Sequence, residues 1–116
     1  MSGHVLIIED EILIALELEC LLAELGFATF DVADSPTRAL VCAEAHRPDL
    51  ITADYRIIGG TGVDAVAVIT ASIGRIPVIY VTSNVDLVAS EGQPVVEKPI
   101  GFRPLASACH LVGAAA

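Results

Sequence analysis

Tryptophan is absent, aromatic residues make up only 4% of the 116 residues, and lysine occurs once, at Lys98. With so few rings the core must be built from Ile, Leu, Val and Ala, and a hydrophobic content of 54% excludes a disordered tail. Basic residues are scarce too, 6 against 15 acidic ones, for a net charge of −9. A phosphate backbone needs clustered cations, so the acidic balance argues against nucleic acid as a direct partner. The three cysteines, Cys20, Cys42 and Cys109, show no CxxC and no metal-ligand spacing, and read as buried free thiols of a reducing cytosol. No apolar run approaches the ~20 residues of a membrane span. The opening Met1-Ser2-Gly3-His4 lacks the basic stretch of a signal peptide. The expectation is a cytoplasmic protein with no membrane partner. One domain over residues 1–116 fits the ~100–150 residues that a single core holds.

What is present is an alternation of two segment types. Val5-Leu6-Ile7-Ile8 is a continuous apolar run ending at acids, as in a strand buried on both faces. A helix is expected from Glu11 to Leu25, stopped by Gly26, then a strand from Phe27 to Val32. Ser35-Pro36 supplies an N-cap and first-turn proline for a helix to His46. Leu50 to Ala53 is a third strand, followed by a loop with Gly59-Gly60-Thr61-Gly62 and a helix over Val63–Ile73. Pro77 to Val81 is a fourth strand. Val85 to Ser90 has room for only a helical turn or two, Val95-Val96 is a very short strand, and a last helix spans Arg103 to Val112. This order implies an α/β fold with a parallel sheet covered by helices on both faces.

In such sheets ligands bind beyond the carboxyl ends of the strands. Those ends carry Glu9-Asp10-Glu11, then Asp54, then Thr82-Ser83-Asn84, and finally Lys98. Of these, the carboxylates of Glu9, Asp10 and Asp54, the Thr82 hydroxyl and the single ammonium are expected to converge on one rim. Glu9, Asp10 and Asp54 packed together would repel one another, and a divalent cation relieves that. Oxygen-only ligands favour Mg²⁺. An Asp beside Mg²⁺ can attack a phosphoryl group and carry it as an acyl phosphate, with Lys98 and Thr82 neutralising its oxygens.

These residues resemble the response-regulator receiver domain of two-component signalling, over nearly the whole chain. The marks are Glu9-Asp10, Asp54, Gly62, Thr82 and Lys98-Pro99. The resemblance implies a flavodoxin-like, doubly wound five-stranded parallel sheet of order 2-1-3-4-5, here with a shortened fourth helix. It makes Asp54 the phosphoacceptor, Asp10 a direct Mg²⁺ ligand, Glu9 an acid acting through water, and the backbone carbonyl of Arg56 the remaining protein ligand. Thr82 and Lys98 would contact the phosphoryl oxygens, and the Lys98-Pro99 bond would be cis. It implies a signalling domain, not a metabolic enzyme. The phosphoryl group would come from a histidine kinase or histidine phosphotransfer protein, and output would pass to a downstream protein target. Output is expected through protein contacts, a homodimer among them, or by draining phosphoryl groups from a kinase.

The chain also departs from the family pattern. Ile58 stands where many receivers have proline, and Val95 where a switch aromatic is usual. The short, aromatic-lacking form resembles stand-alone receivers of bacterial general-stress and multi-kinase networks. The same departures motivate an alternative, a receiver-like interaction module that acts without phosphorylation. A flavin-binding reading fails because acids stand where the flavin phosphate would bind. Read singly, the other residues are bland. Glu9-Asp10-Glu11 could serve a helix N-terminus, Tyr80 reads as core packing, and His4, His46 and His110 read as surface or capping residues. The glycine loop lacks a GxxxxGK[ST] pattern and reads as a set of positive-φ turns.

Overall fold

A computed structural model describes residues 3–114. In chain order the elements are β1 (His4–Ile8), α1 (Ile12–Glu24), β2 (Thr29–Ala33), α2 (Pro36–Ala45) and β3 (Leu50–Ala53). A small hairpin of β4 (Arg56–Ile57) and β5 (Gly60–Thr61) follows, then α3 (Gly62–Ile73) and β6 (Val78–Thr82). The chain continues through α4 (Val85–Val88), a 3-10 turn over Ala89–Glu91, β7 (Val95–Glu97) and α5 (Phe102–Leu111). The main sheet runs β2-β1-β3-β6-β7, all parallel. Counting only its five strands, this is the expected order 2-1-3-4-5.

Two apolar layers sandwich the sheet, and the strand alternation assigns each residue to one of them. Val5 and Ile7 of β1 join Leu18 and Leu22 of α1 and Leu105 and Ala108 of α5. Leu6 and Ile8 join Ala39 and Ala43 of α2 and Ala65 and Ile69 of α3 on the opposite face. Because β1, β3 and β6 are buried along their whole lengths, they carry no alternation of polar and apolar residues. On that face α2 and α3 bury the small residues Ala39, Ala43 and Ala65, which suits close approach to the sheet. Tyr80 is fully buried, and burial, with Glu91 second, pushes its phenol up to about 12, so it packs as a neutral core side chain.

Several expectations shift by a residue or two, and the reasons are local. The second strand begins at Thr29, not Phe27, because Ala28 and Thr29 both donate to the Gly3 carbonyl while Phe27 turns into the core against Gly3. Thr82 lies inside β6, in register with Glu97. The fourth helix is indeed cut to Val85–Val88. The expected burial of all three thiols is corrected: Cys109 is buried, Cys42 half-buried and Cys20 exposed. Leu18 and Leu22 take the inner face of α1, and Cys20, two residues or about 200° from Leu18, falls on the outer one. The glycine loop uses positive φ only at Gly59 (76°), while Gly62 serves a different need described below.

One buried side-chain polar atom has no partner among the described residues, Thr52 Oγ1 in the middle of β3. An unpaired buried hydroxyl typically costs ~1–3 kcal/mol. Thr52→Val is therefore expected to raise stability by about 1 kcal/mol, read as a higher urea midpoint at unchanged m. A lower midpoint would show that the hydroxyl has a stabilising partner.

Candidate functional site

The ends of β1, β3, β6 and β7 are aligned by backbone pairing. The Glu9 amide donates to the Ala33 carbonyl (2.9 Å), the Asp54 amide to Ile8 (3.0 Å) and the Lys98 amide to Thr82 (3.1 Å). This register brings Glu9, Asp54 and Lys98 together from 44 and 89 positions away in sequence. Lys98 Nζ donates to Glu9 Oε1 at 2.9 Å and to Asp54 Oδ2 at 2.8 Å. The remaining carboxylate oxygens accept from the backbone: Asp54 Oδ1 from the Tyr55 amide (2.7 Å) and Glu9 Oε2 from the Glu11 amide (3.1 Å). The side chains of Glu9, Asp54 and Lys98 are 1%, 10% and 12% exposed, so this ionic triad is largely withdrawn from water.

Burial is the larger influence on Glu9. It pushes the carboxyl above its ordinary range despite the opposing hydrogen bond from Lys98. Burial also disfavours the Lys98 ammonium, but hydrogen bonds to Asp54 and Glu9 outweigh it and raise the pKa. The ammonium is therefore held charged between two carboxylates.

Of the other residues expected at the rim, Thr82 is fully buried and its Oγ1 accepts from the Asn84 amide (3.0 Å), leaving its O–H free to donate elsewhere. Asp10 is exposed and makes no hydrogen bond or ion pair among the described residues. It lines a cleft of about 330 Å³ with Glu9, Ile12, Val32, Asp34 and Arg38. Glu9, Asp10 and Asp54 are not drawn within 4.8 Å of one another as three direct ligands would be. Arg56 lies in the hairpin, paired with Thr61, with its guanidinium 5.9 Å from the Tyr55 ring centre. The exposed Ile58 ties this hairpin to the end of β2 through its amide and the Asp34 carbonyl (2.9 Å). The Lys98-Pro99 bond is cis.

Gly62 was one residue of the motif, but its reason is steric and only the structure shows it. A Cβ there would lie 1.9 Å from the Asp54 carbonyl oxygen. Its amide also donates to the Tyr55 carbonyl (2.8 Å), so the start of α3 presses directly on the backbone that carries Asp54.

A model of the response regulator receiver domain matches residues 5–109. The chain belongs to that family. As a receiver domain it is 41% identical over 85 residues to the phyllosphere-induced regulator PhyR of Methylorubrum extorquens, covering 72% of this chain and 32% of that protein. It is 38% identical over 86 residues to the transcriptional regulatory protein PdtaR of Mycobacterium tuberculosis, covering 73% and 42%. The receiver thus spans less than half the length of these curated relatives. Among solved structures it resembles the anti-anti-sigma factor PhyR of Bartonella quintana, with TM-score 0.83 and 30% identity over 97% of this chain and 47% of that one. The magnesium-bound receiver domain of the sensor histidine kinase PA1611 of Pseudomonas aeruginosa shares the fold, with TM-score 0.82 at 24% identity over 97% and 99%. Among the described residues, no helix of this receiver is long and apolar enough to cross a membrane.

The receiver also holds a polar cluster that reading by residue missed. His4 and His46, expected as isolated surface or capping residues, stack with ring centres 3.6 Å apart. His4 is 5% exposed and bonds Thr29 and Asp31. Parallel pairing of β1 with β2 sets residue 4 beside residue 29, a juxtaposition that no local pattern reveals.

Proposed function

We propose that this receiver takes a phosphoryl group onto Asp54 Oδ2 from a histidine kinase or histidine phosphotransfer protein, and that its phosphorylated surface is read by a downstream protein. The observation that carries this is the Lys98 ammonium, held at 2.8 Å from Asp54 and 2.9 Å from Glu9 at the joined strand ends. The domain comprises the whole of residues 1–116 in this reading, and it acts in the cytoplasm.

The donor set at the rim suits Mg²⁺. Glu9, Asp10 and Asp54 offer carboxylates and Arg56 a backbone carbonyl, all hard oxygen ligands. The pair Glu9 and Asp54 already needs a cation between them, and Lys98 meets only part of that need. Asp10 and Asp54 would hold the ion directly, Arg56 through its carbonyl, and Glu9 through water. When bound, Mg²⁺ supplies charge neutralisation for the transferring phosphoryl oxygens. The protein's own residues do the rest. Asp54 Oδ2 attacks phosphorus, the donor imidazole nitrogen leaves with the bonding pair, and an acyl phosphate results. The Tyr55 amide holds Oδ1 and so orients Oδ2 for attack. Lys98 transfers its hydrogen bonds to the new phosphoryl oxygens, and the Thr82 O–H donates to another.

The test is labelling by acetyl phosphate, followed by intact mass before and after hydroxylamine. The wild type should gain one hydroxylamine-sensitive phosphoryl group only with Mg²⁺, and Asp54→Asn should gain none. Stoichiometric acid-labile phosphate on Asp54→Asn would overturn the acceptor assignment. Absence of both Mg²⁺ binding and labelling in the wild type would favour the unphosphorylated interaction module.

A further inference from the structure

We propose that His4, Asp31 and His46 form a second cation site, for a borderline transition-metal ion of the Zn²⁺ type, at the end of β1 remote from Glu9. Among the described residues, this is the one group of three such side chains whose ligand atoms all lie within 4.8 Å of one another. The three come from separate elements. His4 opens β1, Asp31 lies in β2, and His46 caps the C-terminus of α2.

The buried member is already oriented. His4 Nε2 lies 2.9 Å from Asp31 Oδ2 and Nδ1 lies 2.7 Å from Thr29 Oγ1. A carboxylate only accepts, so Nε2 carries the proton and Thr29 steadies the other nitrogen. A ligating histidine commonly donates its second N–H to such an oxygen, the role Nδ1 takes toward Thr29 once the ion is bound. The His4 amide donates to Asp49 Oδ2 (2.8 Å), which fixes the strand start as well. The Nε2 proton occupies the line a metal ion would take; on binding the proton shifts to Nδ1, which then donates to Thr29 Oγ1, and the Nε2 lone pair faces the ion. His46 is exposed, and its ring lies 11° from parallel to that of His4. Stacking keeps it within reach, and rotation about its own side-chain torsions turns a nitrogen toward the ion.

Two imidazoles and one carboxylate, with a position left for water, are the ligand chemistry of Zn²⁺ and its neighbours. Mg²⁺ prefers oxygen alone. The two ends of β1 therefore select cations of different hardness. Five residues at ~3.3 Å each place them about 16 Å apart, so the ions would not compete. An ion at the histidine end would clamp β1, β2 and the end of α2 together.

The test uses the full chain carrying Cys20→Ser, which removes the exposed thiol, in saturating Mg²⁺. Zn²⁺ uptake is followed by calorimetric titration and by thermal unfolding. One Zn²⁺ per chain is expected, with Tm higher by about 11 °C at a hundredfold excess over Kd. His46→Ala and Asp31→Asn should each weaken binding at least tenfold, with unliganded Tm reported alongside to show that both fold. Asp54→Asn should leave Zn²⁺ affinity unchanged. No uptake, equal uptake by His46→Ala, or loss of uptake in Asp54→Asn would each overturn the proposal.

Discussion

Gly62→Ala is expected to destabilise the domain by about 3 kcal/mol or more, beyond the usual range for an added methyl in a packed site. The added Cβ would meet the Asp54 carbonyl oxygen at 1.9 Å and its carbon at 3.0 Å. These are backbone atoms and no side-chain rotation relieves the overlap. Either α3 must withdraw, breaking the hydrogen bond from the Gly62 amide to the Tyr55 carbonyl, or the Asp54 backbone must move and strain the hydrogen bond from its amide to the Ile8 carbonyl. Both routes disturb the placement of the Asp54 carboxylate. Gly59→Ala is the informative control. Its φ of 76° disfavours a side chain, but a Cβ there meets nothing within 4 Å, so the cost should stay near the ~1–2 kcal/mol of a left-handed residue. Denaturant unfolding of both variants checks this, and equal losses would mean that the α3 contact relaxes easily.

Lys98→Met should have a comparably large effect for an electrostatic reason. The ammonium sits between two carboxylates whose side chains are 1% and 10% exposed. Removing one partner of a buried ionic group leaves uncompensated charge, at a cost of roughly 3–5 kcal/mol. Glu9 limits the damage, because burial has already pushed its carboxyl upward and it can take up a proton once Lys98 is gone. A loss near the lower bound, about 3 kcal/mol, is therefore expected at neutral pH. Mg²⁺ should recover part of it, and should raise the Tm of Lys98→Met more than that of the wild type, because the variant lacks the competing cation. Thermal unfolding with and without Mg²⁺ measures both terms. An unchanged Tm would mean that water reaches the two carboxylates well enough to replace the ammonium.

Most of the fold was legible because its signals are local. Continuous apolar runs such as Val5–Ile8 mark strands buried on both faces, and Ser35-Pro36 marks a helix start whose cap is seen in the Ser35 side chain accepting from the Arg38 amide. The rim residues were legible for a topological reason: in a parallel sheet every strand ends on the same side, so acids after β1 and β3 and a lysine after β7 must meet. The shortened α4 followed from a simple count of residues between Thr82 and Lys98.

What only the tertiary structure decided depends on distances between segments remote in sequence. Gly62 looked like a turn residue until α3 was seen pressing on the Asp54 carbonyl. Asp10 and Glu9 are adjacent in sequence, yet one is exposed and the other buried, because successive residues at a strand end face opposite ways. The histidines looked solitary because β1–β2 pairing and the turn out of α2, not sequence spacing, bring residues 4, 31 and 46 together. Local sequence thus determined the elements and the rim on which their polar ends gather, whereas register and packing determined which side chains touch, since contacts across a sheet depend on pairing that spacing along the chain does not encode.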